Sequence, residues 1–126
     1  MSFLFDSSAI INIIKSGKTR GLAKGFTIEL ALFECLNTVW KWSHLLKQVS
    51  EADALELVEL IALSFKAMRK LPIDEKDTFT TALATGLTVY DAAYVSTGKR
   101  YGLTLVSDDS KLVARGLSIR SSEALR

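Results

Sequence analysis

The sequence is poor in the residues that build disulfides, interdomain linkers and membrane spans. It contains a single cysteine, Cys35, which excludes an internal disulfide and a cysteine-based zinc site. One proline and seven glycines in 126 residues leave little material for a linker, so we predict a single domain over residues 1–126. Every long apolar run meets a charged residue before about 18 residues, so no membrane span is predicted.

The sequence also has no large excess of either basic or acidic residues. Sixteen basic and fourteen acidic residues give a net charge of +2, and 48% of the residues are hydrophobic. This composition is typical of a globular protein with a core, not of a disordered chain. The net charge is too small to indicate nucleic-acid binding by itself. The first residues have no basic lead and reach Asp6 at once, which is unlike a signal peptide, so we expect a cytoplasmic protein.

Hydrophobic periodicity predicts strands that alternate with helices. Short strands are predicted over 2–5, over 103–106 and over 117–119, with a brief extended segment at 71–73. The predicted helices cover about 9–16, 28–47, 51–70, 74–84 and 88–101, with a short one after residue 109 ending near 115. Residues 17–25 are expected to form a loop or a short helix. Because no hairpin turn joins the strands, they are expected to pair in parallel in a helix-rich α/β fold.

Four acidic residues fall at positions where a carboxylate is unusual or well placed for chemistry. Asp6 and Asp109 each follow a predicted strand, and ligand sites in open α/β sheets lie outside the carboxyl ends of strands. Glu34 and Asp91 each lie within a nearly apolar stretch. A charge in such surroundings is costly unless it is paired or binds a cation. The four residues are therefore candidates for one site.

Three of these positions also have a simpler structural interpretation. Asp6 can be a turn residue after its strand. Thr88 and Asp91 have the spacing of a helix-start pair. One of Asp108 and Asp109 is expected to be an ordinary helix cap, since helix starts favour such acids. No single acid decides between the interpretations.

The long helix that carries Glu34 leaves a similar choice open. Glu34 can be a solvated residue on a stripe with Leu30, Asn37 and Lys41, although Leu30 weakens that stripe. The one histidine, His44, is interpreted as an ordinary residue on the surface of this helix.

Taken together, the acidic segments resemble the PIN-domain nucleases, and especially the VapC-type toxins of toxin–antitoxin pairs. The matching segments are 3–9, 33–37, 86–94 and 105–112, which carry Asp6, Glu34 with Asn37, Asp91, and Ser107 with Asp109. They cover essentially the whole chain in the family's order. By this resemblance Asp109, and not Asp108, is the fourth acid. Ser107 departs from the family's commoner threonine but keeps the hydroxyl group.

The resemblance implies a Rossmann-like α/β/α sandwich with a short, mostly parallel sheet, and endonucleolytic cleavage of RNA with Mg²⁺ or Mn²⁺. For such an ion we expect direct ligation chiefly by Asp6 and Asp91, with Glu34 and Asp109 acting through water or a second ion. Crowded carboxylates repel one another unless a cation joins them, and Mg²⁺ prefers oxygen ligands. Such an ion acidifies a water molecule and offsets charge on the phosphate. We expect Ser7 or Ser107 to orient a carboxylate or water, and Asn37 to hold Glu34.

RNA contacts are expected from basic side chains around the acids. Lys15, Lys18 and Arg20 cluster near the end of the first helix, and Lys41 is a further candidate on the Glu34 stripe. Contacts of this kind to phosphates give affinity without sequence choice. A solvated basic loop is the alternative interpretation of the cluster.

The leading hypothesis is a toxin-type endoribonuclease, with an antitoxin and a second copy of the chain as partners. A stand-alone PIN nuclease in RNA processing would have the same acids without an antitoxin. A non-catalytic binding module is a third possibility, because the apolar helix over 51–70 indicates a partner surface. An aspartate-based phosphatase is disfavoured, because Asp6 is followed by two serines and the expected Asp-x-Asp is absent.

Overall fold

A sheet of four short parallel strands lies at the centre of the fold. The computed structural model describes residues 2–126. The strands are β1 (Phe3–Phe5), β2 (Phe26–Thr27), β3 (Arg69–Lys70) and β4 (Thr104–Val106), in the order β3-β2-β1-β4. All three pairings are parallel, as predicted. Ile119 adds one parallel bridge to Val106 beyond β4, where the sequence predicted a strand of three residues.

Helices connect and cover the strands. They are α1 (Ser7–Lys15), α2 (Leu30–Trp40), α3 (Glu51–Ala67), α4 (Glu75–Thr85), α5 (Val89–Tyr101), α6 (Ser110–Ala114) and α7 (Ser121–Ala124), with a 3₁₀ helix at Thr19–Leu22 and a π-helical turn at Lys41–Leu45. The core is formed by apolar side chains of β1, β4 and the inner faces of α1, α2, α3 and α5. No helix within residues 2–126 combines the length and apolarity needed to cross a membrane.

Local capping chemistry fixes where most helices begin. The side chains of Asp6, Ser50, Asp74 and Thr88 each accept a hydrogen bond from the backbone N–H three residues later. Gly86 ends α4 in a left-handed conformation with φ of 74°, which costs glycine no steric strain. These boundaries are the ones that the sequence predicted to within two residues.

The two shortest strands, β2 and β3, were not predicted. The residues of β2 were placed at the edge of a loop, and those of β3 in the last turn of a helix that ends earlier, at Ala67. Each strand has only two residues, too few for an alternating pattern to be visible. Their pairing depends on the tertiary fold: Arg69 donates its backbone N–H to Gly25 (2.9 Å), and Leu71 donates to Thr27 (2.9 Å).

Candidate active site

The amino termini of four helices meet at the carboxyl edge of the sheet. Helices α1, α2 and α6 follow β1, β2 and β4 and therefore begin at that edge. Helix α5 leads into β4 at the opposite edge, so its first turn lies here as well. The predicted acids lie at or near these helix starts: Asp6 and Asp109 as caps, Asp91 in a first turn and Glu34 in a second turn. The partial positive charge of helix amino termini favours anions at this edge.

Asp6 is a buried carboxylate, with 5% of its surface exposed. Its Oδ1 accepts hydrogen bonds from the Ser8 hydroxyl (2.7 Å) and the Ala9 backbone N–H (3.0 Å). Burial raises the pKa of Asp6 to about 6, against the opposing effect of hydrogen bonds that include Ser107, and repulsion from Glu34 adds to the rise. No Lys or Arg within residues 2–126 forms an ion pair with Asp6. Asp6 is thus both the cap of α1 and a buried carboxylate at the carboxyl end of β1.

Glu34 is held by a tyrosine from a different helix. The Tyr94 hydroxyl donates to Glu34 Oε1 at 2.6 Å. Burial and repulsion from Asp91 raise the pKa of Glu34, whereas the Tyr94 hydrogen bond and the nearby Ser7 hydroxyl lower it. Asn37, predicted to hold Glu34, is exposed, and among residues 2–126 it is Tyr94 that takes this role. Tyr94 lies three residues after Asp91, a spacing that places both on one side of α5, and this signal was overlooked.

Asp91 has the helix-start role that the sequence allowed, and its carboxylate also lies close enough to Glu34 to repel it. Its backbone N–H donates to the Thr88 hydroxyl (3.2 Å) at the start of α5. Its carboxylate faces the site, repels Glu34, and forms an ion pair with Lys111 at 3.4 Å. Lys111 was not among the predicted site residues.

The neighbouring acids Asp108 and Asp109 make different structural contacts. Asp108 accepts hydrogen bonds from Asn12 Nδ2 (2.9 Å), from the Ser121 hydroxyl (2.6 Å) and from the Ser121 backbone N–H (2.8 Å). Partial burial works to raise the pKa of Asp108, but the hydrogen bonds from Ser121 and Asn12 outweigh it and leave the pKa low. Asp109 caps α6 by accepting from the Lys111 N–H (2.8 Å). Asp108 therefore ties α1 to α7, while Asp109 is left at the edge of the site.

Two serines connect the ends of β1 and β4. Ser107 is fully buried, and its hydroxyl lies 3.3 Å from that of Ser8 and accepts from the Asp109 N–H (3.1 Å). Ser8 in turn donates to Asp6 and accepts from the Asp108 N–H (2.9 Å). The prediction was that Ser7 or Ser107 orients a carboxylate or water, and hydrogen bonding by Ser107 lowers the pKa of Asp6 while that by Ser7 lowers the pKa of Glu34. Ser8, unlike Ser7, carries the link between the two strand ends.

Each of the four carboxylates is held through one oxygen. The oxygens that make these contacts are Oδ1 of Asp6, Oε1 of Glu34, Oδ2 of Asp91 and Oδ1 of Asp109. Residues 2–126 contain no group of three or more His, Cys, Asp or Glu side chains placed to hold one metal ion. The acids therefore share an edge of the sheet, but they do not form a preassembled set of ligands.

Comparison with known proteins decides the family. Ribonuclease VapC3 of Pyrobaculum aerophilum is 37% identical over 93 residues, which cover 71% of this chain and 69% of that protein. This chain belongs to the VapC family of PIN-domain nucleases. Exonuclease VapC9 of the same organism is 34% identical over 88 residues, 70% of this chain, and the match spans 64% of that relative. No protein-family profile matches the chain.

The fold of this VapC-family chain is confirmed by a solved structure. The crystal structure of PAE2754 from P. aerophilum superposes with a TM-score of 0.85, covering 99% of this chain and 93% of the other, at 22% sequence identity. At that identity the likeness bears on the fold alone. It confirms the predicted α/β/α sandwich with a parallel central sheet.

The basic residues predicted to contact RNA do not surround the acids of this VapC-family site. Helix α1 follows its cap Asp6, and its nine residues carry the chain about 14 Å away to Lys15. Lys18 and Arg20 follow and lead toward the amino end of β2. Lys41 lies at the same far end, because Lys15 Nζ is 4.9 Å from the ring centroid of Trp42. The structure thus separates these residues from the acidic edge.

Proposed function

We propose that this protein is a metal-dependent endoribonuclease that hydrolyses RNA phosphodiester bonds. The observation that carries the proposal is the set of four carboxylates at one edge of the sheet, each held through one oxygen. Asp6 carries it furthest, because a buried carboxylate without a cationic partner is costly unless a cation arrives. The family membership supports the same reaction class.

The donor chemistry fits Mg²⁺ or Mn²⁺ with few direct ligands. Both ions prefer oxygen donors, and Mg²⁺ commonly keeps several waters while it binds one or two carboxylates and a substrate phosphate. The absence of a three-ligand cluster in residues 2–126 is compatible with that mode. Asp6 and Asp91 would bind the ion directly, and Glu34 and Asp109 through water or a second ion. The ion, when bound, supplies Lewis acidity toward water and phosphate.

The protein's own residues would orient these groups before substrate arrives. Tyr94 holds Glu34 from the side of α5, and Ser8 holds Asp6 from the first turn of α1. Orientation by such hydrogen bonds lets the carboxylates act without rearrangement during the reaction. The amino termini of α1 and α5 add a field that favours the phosphate of the substrate.

The decisive experiment measures RNA cleavage and its mode. One relative is named an exonuclease and another a ribonuclease, so linear end-labelled RNA is compared with a circular RNA of the same sequence. An endonuclease opens the circular RNA by cutting an internal bond. An exonuclease needs a free end and leaves the circle intact. We expect cleavage of both RNAs with Mg²⁺ or Mn²⁺ and none in excess EDTA.

Isosteric variants test the site itself. Asp6→Asn and Asp91→Asn should each abolish cleavage of either RNA. Glu59→Gln removes an exposed carboxylate on α3, away from the site, and is the matched control that should cleave like the wild type. Wild-type activity in both site variants would overturn the proposal. Calorimetry without Mg²⁺ or Mn²⁺ binding at millimolar concentration would favour a non-catalytic binding module instead.

We further propose that the protein is the toxin of a type II toxin–antitoxin pair and forms a homodimer. Two separate exposed apolar surfaces support two partners. A groove of about 770 Å³ between the end of α2 and α3 includes the exposed Trp40 and Leu55. It suits an amphipathic antitoxin helix. On α4 and α5 the exposed Phe79, Leu83 and Tyr90 would face the second copy.

Paired variants separate the two partner surfaces. Leu55→Asp should abolish binding of the antitoxin encoded beside this gene and leave the dimer intact. Phe79→Asp should produce a monomer by sedimentation and retain antitoxin binding. A monomeric wild type would contradict the dimer. The absence of any adjacent antitoxin gene would favour a stand-alone nuclease in RNA processing.

A further inference from the structure

Three exposed cations in the segment from α6 to α7 are anchored at the acidic edge. Lys111 pairs with Asp91 at 3.4 Å. One guanidinium nitrogen of Arg115 donates to the carbonyl of Thr85 (2.8 Å), at the end of α4 and just before α5. These contacts hold both cations beside the first turn of α5, which carries one of the proposed metal ligands.

The third cation, Arg120, lies on the side of β4. Its Nη1 donates to the carbonyl of Asp108 at 3.5 Å, and its charge acts on the Asp108 carboxylate. Arg120 directly follows Ile119, which pairs with β4, so it also stands at the carboxyl edge. We call Lys111, Arg115 and Arg120 the α6 basic strip.

The surface on the other side of the acids has a different character. Phe33, next to Glu34, is 69% exposed, and Val89 and Tyr90, next to Asp91, are 49% and 61% exposed. Apolar and aromatic side chains thus flank the acids where α2 and α5 begin. The positive charge of the α6 basic strip is therefore confined to one side of the site.

From this asymmetry we propose that the α6 basic strip binds the RNA backbone phosphates adjacent to the one that is cleaved. The inference rests on the proposed function for its substrate. An acidic site repels a polyanion, so cations must hold the chain beside it. The strip is suited to this because its side chains are exposed. Its ion pair with Asp91 is a solvent-exposed contact that a phosphate can replace, since Lys111 is 56% exposed.

The test measures RNA binding as a function of salt. A fluorescent 12-nucleotide single-stranded RNA is titrated with the Asp6→Asn protein, which should bind without cutting, over a range of NaCl concentrations. Lys111→Ala and Arg120→Ala are added to this background. In each variant the slope of log K against log salt should become less negative by about 0.7. The loss of affinity should therefore be about fivefold larger at 0.1 M salt than at 1 M salt. Lys66→Ala removes the same charge at the end of α3 and is the matched control.

Further variants distinguish the strip from a general charge effect. Lys111→Arg keeps the charge and should restore the slope that Lys111→Ala loses. Equal losses in Lys66→Ala would overturn the proposal, because they would show non-specific attraction. Losses confined to Lys15→Ala and Lys18→Ala would overturn it as well, since they would place RNA at the opposite edge of the sheet. Circular dichroism verifies that each variant is folded.

Failure of the strip and failure of the proposed function give different results. If the wild type cleaves RNA and the strip variants bind and cleave normally, the proposed role of the strip is refuted and the proposed nuclease function stands. If the wild type never cleaves RNA but binds it, and the strip variants change the salt dependence of binding, the proposed nuclease function is refuted and the proposed role of the strip stands. Loss of cleavage by Arg120→Ala with normal binding would also count against the strip.

Discussion

Replacing Asp6 by asparagine should make the metal-free protein more stable at neutral pH. The Asp6 carboxylate is buried without a cationic partner, and its pKa rises from 3.8 to about 6. At about 1.4 kcal/mol per pKa unit, this rise corresponds to about 3 kcal/mol, which is an upper limit for the penalty that ionised Asp6 imposes on the fold. Asparagine keeps an oxygen for Ser8 and Ala9 but carries no charge.

The sign of the pH dependence follows from the same pKa. Between about pH 4 and pH 6 the native state retains a proton on Asp6 that the unfolded state has lost. The Asp6 contribution to the free energy of unfolding therefore decreases as pH rises through this window. It stays at its lowest value above the native pKa. In Asp6→Asn this decrease is absent.

Urea unfolding in EDTA, monitored by circular dichroism from pH 4 to pH 8, measures the difference. The two proteins should be nearly equal at pH 4, and Asp6→Asn should be more stable by up to about 3 kcal/mol at pH 8. Added Mn²⁺ should then stabilise the wild type and not the variant. Parallel pH profiles for the two proteins would refute the argument that Asp6 is an uncompensated buried charge.

Three further outcomes are expected. Asp108→Ala should lower the free energy of urea unfolding by about 2 to 3 kcal/mol, because partners on α1 and α7 lose a charged acceptor. Asp109→Ala should lower it by about 1 kcal/mol and abolish cleavage. Equal stability losses in the two variants would contradict this division. Tyr94→Phe should weaken metal binding by calorimetry about 10- to 100-fold, since Glu34 loses its 2.6 Å hydrogen bond, and unchanged affinity would count against that role. Burial raises the pKa of Cys35 to about 12, so thiol labelling at pH 8 should require unfolding; fast labelling of the native protein would contradict it.

The helix starts, and the position of the four acids at or near helix starts, could be predicted from sequence because their signals are local. Ser50, Asp74 and Thr88 are standard cap residues in front of apolar periodicity, and each accepts the expected hydrogen bond. Charged residues in apolar stretches similarly indicated Glu34 and Asp91. These signals depend on neighbours within one or two turns, so no knowledge of the tertiary fold is needed.

The features that escaped prediction depend on contacts between distant segments. The strand β3 exists only because Gly25 and Thr27 offer carbonyls to it. The partners Tyr94 and Lys111 reach Glu34 and Asp91 across different helices. Asn12 and Ser121, which are 96 and 13 residues away from Asp108 in the sequence, hold the Asp108 side chain, whereas Asp109 caps α6.

The pairing of β1 with β4 makes the site depend on a segment about a hundred residues later in the sequence. Phe3 lies beside Thr104, and the Asp6 backbone N–H donates to Val106 at 3.1 Å. During synthesis β1 must wait until β4 has left the ribosome before it gains this neighbour. A growing polypeptide therefore holds Asp6 without Ser107 beside it. Any chemistry at this edge begins only after β4 has been synthesised and paired with β1.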